Sequence, residues 1–294
     1  MTNSTIEPAH PVVDRGTFQA ELDALRVREK AHTKEGDAIA AARRRLPMVE
    51  VDAAIPLIGD HGAVPLLDVF EGRRMLIAYY FMWHTGHPAP EQCEGCTWVT
   101  SHVRELSYIH SRDVTYATFC QGPYQESARY RDFMGWEMPW YSAEGSLDTL
   151  LIGRRVGMMH IVCYLRQGSR VFETYWTTRR GVEAMDNSYR LLDLTVYGRQ
   201  ETWEDSPTAW PQRFEGKQVI RTDGRPTASG PASKPDTPTI SAATPVVARR
   251  IVAAARRTDA LRLFARQRQS RASSLGPSLG RIALRAVRAC PAER

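Results

Sequence analysis

The chain lacks long apolar runs: none of its 294 residues falls in a stretch of the roughly 18 consecutive apolar residues that a membrane-spanning helix needs. Its start, MTNSTIEPAHPVVDRG, has neither the basic flank nor the apolar segment of a secretory leader. Cysteine is sparse and odd in number, five in all, unlike the dense even sets that staple small secreted domains. These absences lead to the expectation of a soluble, cytoplasmic protein. In a reducing compartment a close pair of cysteines points to catalysis or metal binding before structure. Gly-rich phosphate loops, Walker sequences, HExxH and GxSxG are missing as well, which removes the usual nucleotide, zinc-protease and serine-hydrolase signatures.

Charge is unevenly spread. Residues 1–210 hold 22 Lys+Arg against 28 Asp+Glu, a net of −6, whereas residues 211–294 hold 17 against 5, a net of +12. The overall +6 therefore belongs to the tail. The segment PTASGPASKPDTPTISAATP is rich in Pro, Ser, Thr and Ala without apolar periodicity and reads as a disordered linker. Beyond it Val247, Ile251, Ala254, Leu261 and Phe264 recur at roughly helical intervals among arginines. Such a basic helix could meet nucleic acid or an anionic membrane, but an Arg/Ala-biased extension has the same appearance.

What is present supports one core with extensions, since 43% hydrophobic content over this length suffices for it. Thr17 is placed to cap a run with Phe18, Leu22, Leu25 and Ile39 on one side and Pro47 as its stop. This predicts one or two N-terminal helices packed onto the core, with Gly36 as the break. The apolar run from Arg74 to Trp83 reads as a central strand covered on both faces. A helix follows, with Trp98, Val99, Val103, Leu106 and Ile109 at helical spacing, then a strand over Asp113–Cys120. Strand, helix, strand at this length is a βαβ crossover. A second helix ends near Gly135, EMPWYS is a short extended piece, and strands over 157–165 and 170–178 join through Arg166-Gln167-Gly168-Ser169. A helix over 181–194 closes the order β-α-β-α-β-β-α.

Cys93-Glu94-Gly95-Cys96 falls between the first strand of the crossover and its helix. Cysteines at i and i+3 on a first helical turn can close a small disulfide ring with little rearrangement. The first sits beside unpaired N–H groups at the positive helix end, which favours its thiolate, so Cys93 is the expected attacker and Cys96 the resolver. Glu94 and Glu91 should act the other way, because adjacent negative charge disfavours a second anion. His84 and His87 lie just upstream and could lend positive character. A metal alternative uses His84, His87, Cys93 and Cys96 as a tetrahedral zinc set. The five-residue spacer with Pro88 and Pro90 leaves little chain for turning both pairs onto one ion, so no metal is favoured. Cys120 and Cys163 read as buried core thiols, Cys290 as a tail thiol without context, and His160 and His102 as structural histidines.

The blocks LPMVEV, YYFMW leading to CxxC, SRDVTYATFCQGPY, YRDFMGWEMPWYS, FETYWTTRRGVEAMDNSYRLLDLTVYGR and EDSPTAWPQR, over roughly residues 17–215, resemble a bacterial thioredoxin-like family catalogued as domain of unknown function 899. Its members are often labelled predicted dithiol-disulfide oxidoreductases. The resemblance implies an α/β thioredoxin-like fold with a central mixed sheet, and a thiol site at Cys93 and Cys96. Many members carry serine within CxxC and an acidic residue a little beyond, where this chain has Gly95 and Ser101. A peroxiredoxin would show P-x-x-x-[TS]-x-x-C, yet Gly86 and Pro90 stand at those positions relative to Cys93. Thioredoxins place a cis proline before the strand facing CxxC, and here that segment reads Arg155-Val156-Gly157-Met158.

The expected organisation is a disordered N-terminus (1–16), a helical segment (17–45), a thioredoxin-like domain (46–205), an extension and disordered linker (206–245), and a basic, partly helical tail (246–294). The expected function is thiol-disulfide exchange with an unknown thiol or disulfide substrate or reductant, with a redox-active disulfide and no other cofactor. The alternative is a non-catalytic or zinc-stabilised binding module, with FMGWEMPWY and FETYWTT shaping a ligand pocket.

Overall fold

A computed structural model describes residues 11–208, 210–212, 221–222 and 225–226. The expected linker over 226–245, the basic tail and Cys290 lie outside the described residues, apart from Pro226.

The chain begins with α1 (Arg15–Arg43), one continuous helix through Gly36. Asp14, not Thr17, caps it: its carboxylate accepts from the Gly16 and Thr17 amides at 2.8 and 3.0 Å. No α1 residue is buried, and Phe18, Leu25 and Ile39 are exposed. The expectation that this segment packs onto the core through those residues is therefore corrected. Contact with the sheet comes at the helix end, where the Arg43 guanidinium stacks 5.0 Å over the Tyr175 ring.

Eight strands form one mixed sheet: β1 (Val49–Val51), β2 (Pro56–Gly59), β3 (Gly62–Pro65), β4 (Met75–Phe81), β5 (Val114–Cys120), β6 (Trp140–Ser142), β7 (His160–Gln167) and β8 (Arg170–Thr178). Their spatial order is β1-β8-β7-β4-β5-β6-β2-β3. β4 is central, parallel to β5 on one side and antiparallel to β7 on the other. Its unbroken apolar run is what a strand covered on both faces requires. Alternation divides it: Leu76, Ala78 and Tyr80 join one core cluster, while Tyr79 and Phe81 join another on the opposite face. A two-residue turn joins β7 to β8, with Gly168 at φ 63°, where a side chain would be strained. A separate two-stranded ribbon pairs β9 (Arg221–Thr222) with β10 (Arg225–Pro226).

The helices are α2 (Glu94–Ser101), α3 (Ser107–His110), α4 (Tyr124–Met134), α5 (Leu147–Leu150) and α6 (Asn187–Leu192). The single helix expected after CxxC is thus two pieces. The His102 and Val103 amides bond to Val99 and Thr100 carbonyls, tightening the last turn of α2, and the Glu105 carboxylate takes the Ser107 amide to start α3. The expected helix over 181–194 divides for a similar reason. Asp186 is extended, and its carboxylate accepts from the Ser188 amide at 2.8 Å, capping α6 after a 3₁₀ turn over Arg179–Met185. EMPWYS contributes a true strand, since β6 pairs in parallel with β5. The arrangement is a thioredoxin-like α/β fold, in which β4 delivers the chain to CxxC and α2 carries it back toward β5.

Candidate thiol site

Between Phe81 and Cys93 the loop is built around one buried amide. The Gln92 side chain accepts from the His84 amide at 3.0 Å and donates to the carbonyls of His84 and His87 at 2.9 and 2.8 Å. From α4, Glu126 accepts from Trp83 Nε1 and the Gly86 amide, and those bonds hold its carboxyl below the usual carboxylate range. His84 Nδ1 lies 2.8 Å from the Glu91 carbonyl and His87 Nδ1 2.8 Å from the Glu91 carboxylate. Neither Gln92 nor Glu126 stands out in the sequence, because what each does depends on where the folded loop puts backbone groups.

Cys93 caps α2, its Sγ 3.5 Å from the Cys96 amide. It is half-buried, Cys96 is fully buried, and neither is in a disulfide. The Cys93 thiol is held down to about 7, first by a hydrogen bond from the Cys96 side chain, then by the Cys96 amide, His84 and the Gly95 amide, all against burial. Burial pushes Cys96 well above the usual thiol range, and the neighbouring Cys93 adds to that. The two thiols are therefore displaced in opposite directions. Glu94, expected to hold Cys93 up, is not among its leading influences, and the Glu91 carboxylate is occupied by His87. Met82 touches both sulfurs: its thioether lies 3.8 Å from Cys93 Sγ and its amide 3.4 Å from Cys96 Sγ.

The segment before β7 is tied to the same end of the sheet. Gln121 donates to the Met158 carbonyl at 2.9 Å and accepts from the Gly157 amide at 2.8 Å, while Thr178 donates to the Met159 carbonyl. Met159 packs into the cluster that holds Cys93 and Cys96. Among the described residues no group of three or more His, Cys, Asp or Glu side chains is arranged to hold a metal ion.

Other candidate residues lie elsewhere. Cys120 ends β5, buried, with its thiol pushed up to about 12 by burial. Cys163 is half-buried on β7, pushed up to about 11 for the same reason. His160 is buried between the Tyr80 and Trp176 rings with Nε2 2.9 Å from the Arg155 carbonyl, and burial lowers its pKa. His102 Nε2 lies 3.1 Å from Ser188 Oγ and 3.3 Å from Asp186 Oδ1. Both oxygens converge on one ring nitrogen, so this is no relay of the serine-hydrolase kind, which uses the two nitrogens separately.

Of the two aromatic segments expected to shape a pocket, the first fills core. Trp136 and Trp140 stack at 5.6 Å, Phe81 packs on both, and their indole N–H groups donate to Ser101 and Ser127. The second contributes Tyr175 and Thr177 to a groove of about 560 Å³, with Ile77, Val103, Ile161 and Arg43. Neither Cys93 nor Cys96 lines it.

The family model described as "Bacterial protein of unknown function (DUF899)" matches residues 7–217. No curated protein matches the chain. Among solved structures, peroxiredoxin Q from Xanthomonas campestris is similar at 13% identity and a TM-score of 0.31, over 48% of this chain and 91% of that one. A protein named as the thiol:disulfide interchange protein DsbE, from Chlorobium tepidum, is similar at 13% identity and a TM-score of 0.34, over 48% and 93%. Likenesses this distant carry no functional argument, and the fold stands on its own strand order.

Proposed function

The chain belongs to the DUF899 family, and from that premise we propose that it is a thiol-disulfide oxidoreductase in which Cys93 attacks and Cys96 resolves. What supports this is the unequal pair at the start of α2: a half-buried thiol held down to about 7 beside a buried one pushed well up. A thiol with its pKa near ambient pH combines thiolate population with nucleophilicity. In the reaction the Cys93 thiolate attacks one sulfur of a substrate disulfide, forming a mixed disulfide and releasing the first substrate thiolate. Cys96, deprotonated to water, then attacks Cys93 Sγ. The Cys93–Cys96 disulfide forms, the second substrate thiolate leaves, and the substrate is reduced by two electrons. A dithiol reductant returns the pair to its starting state. What supports a cytoplasmic setting for this chemistry is the sparse, odd cysteine set, which differs from the dense even sets of secreted domains; among the described residues no helix is long and apolar enough to cross a membrane.

The test uses an activated disulfide as bait. Cys96→Ser should accumulate a stable mixed disulfide on Cys93, read by mass spectrometry, whereas Cys93→Ser should trap little. Equal trapping by both variants would remove the assignment of roles.

A further inference from the structure

Cys96 must become a thiolate to resolve the mixed disulfide, yet its burial opposes exactly that charge. Something has to stabilise the anion at that moment. One side of the sulfur has the Met82 amide at 3.4 Å.

Four tyrosines are buried to 2% exposure or less: Tyr79, Tyr80, Tyr116 and Tyr164. Tyr80 and Tyr164 exchange a hydrogen bond at 2.8 Å, and the Tyr116 hydroxyl lies 4.0 Å from Met185 Sδ. The Tyr79 hydroxyl alone among them makes no hydrogen bond of ordinary geometry. Buried polar groups in that condition call for an explanation. Tyr79 lies on the β4 face that packs in one cluster with Cys93, Cys96 and Tyr116, its ring edge-on to Phe81 at 6.3 Å. Besides burial, the groups acting on its hydroxyl are Cys96 first, then Cys93 and Tyr116. Burial keeps it a neutral phenol, a donor that does not itself ionise. On Cys96 it acts in the direction that favours the thiolate.

We propose that Tyr79 is a further catalytic residue, whose hydroxyl donates a hydrogen bond to the Cys96 thiolate during the resolving attack. This rests on the oxidoreductase reading. That bond strengthens when the sulfur becomes an acceptor with full charge. No proton is transferred to or from Tyr79: the Cys96 proton leaves to water, the phenol stays protonated, and the electron pair on Cys96 forms the new bond to Cys93 Sγ. The two donors, Met82 N–H and Tyr79 O–H, would then form an anion pocket around the resolving sulfur. The titratable groups facing that sulfur are Cys93 from α2, Tyr79 from β4 and Tyr116 from β5.

A chromogenic aromatic disulfide separates the steps in a single turnover of the full-length protein, because Cys93 attack releases one coloured thiolate and Cys96 attack the other. Tyr79→Phe should leave the first phase unchanged and slow the second roughly tenfold or more, the scale of a lost hydrogen bond to a charged group. The second phase should also move to higher pH. Tyr80→Phe, a buried phenol on the opposite face of β4 that bonds to Tyr164, should change neither phase. A packing defect in Tyr79→Phe would alter the Cys93 phase as well or slow resolution without a pH shift, and either result overturns the assignment. An unchanged second phase overturns it too. Absence of any second phase in the wild-type protein would instead sink the oxidoreductase reading itself.

Discussion

At Cys93 the balance between burial and hydrogen bonding falls on the side of the thiolate. Alkylation of Cys93 should therefore rise with pH through a midpoint near 7 and level off above it, well below the midpoint of an ordinary thiol. The sign for stability follows. A thiol lowered from 9.0 to about 7 contributes stability that is complete above its unfolded value and is lost as pH falls from there through about 7. Cys93→Ser should remove that part of the pH dependence in denaturant titrations. Glu94→Gln tests the argument from adjacent charge: the leading influences on Cys93 are Cys96, burial, His84 and the Gly95 amide, so the alkylation midpoint should stay close to the wild-type value. A drop of about one unit would restore the simple argument from adjacent charge. His84→Asn should raise the midpoint, since His84 favours the thiolate.

The loop from His84 to Gln92 is an element held by side chains, and Gln92 is its centre. Gln92→Ala should cost about 1–3 kcal/mol in urea titration, because three backbone groups lose their partner where water reaches them poorly. It should also speed amide exchange at His84. Little of this was legible beforehand. The strand-helix-strand order and the placement of Cys93 and Cys96 could be read from unbroken apolar runs and local spacing. Glu126 and Gln121 could not, because each satisfies backbone groups far along the chain, as Gln121 does at Gly157 and Met158; Gln92 could not, because only the folded loop brings the His84 and His87 backbone groups to its amide. Tyr79 lay in between: alternation along β4 puts it on the face of Phe81, but only the fold shows that Cys96 shares that face. Helix ends were misread where local side-chain to backbone bonds competed with periodicity, at the Asp14 cap of α1, at Glu105 before α3 and at the Asp186 cap of α6.

Across the whole molecule, stability should divide between a packed sheet and an unpacked helix. Deleting residues 15–43 should leave the unfolding midpoint nearly unchanged, as no α1 residue is buried. Trp136→Ala should cost about 3–5 kcal/mol, because its ring packs against Phe81, Tyr130 and Trp140 beneath the site. A large loss on deleting α1 would show that its exposed Phe18, Leu25 and Ile39 are covered in solution. The central claim, a redox-active pair, is tested most directly by mild oxidation of the intact protein with glutathione disulfide, followed by peptide mapping. The account predicts an intramolecular Cys93–Cys96 disulfide that forms readily and is reversed by a dithiol reductant, with Cys120 and Cys163 remaining as thiols. If Cys93 and Cys96 stay reduced, or carry only separate glutathione adducts that never resolve, the account is wrong.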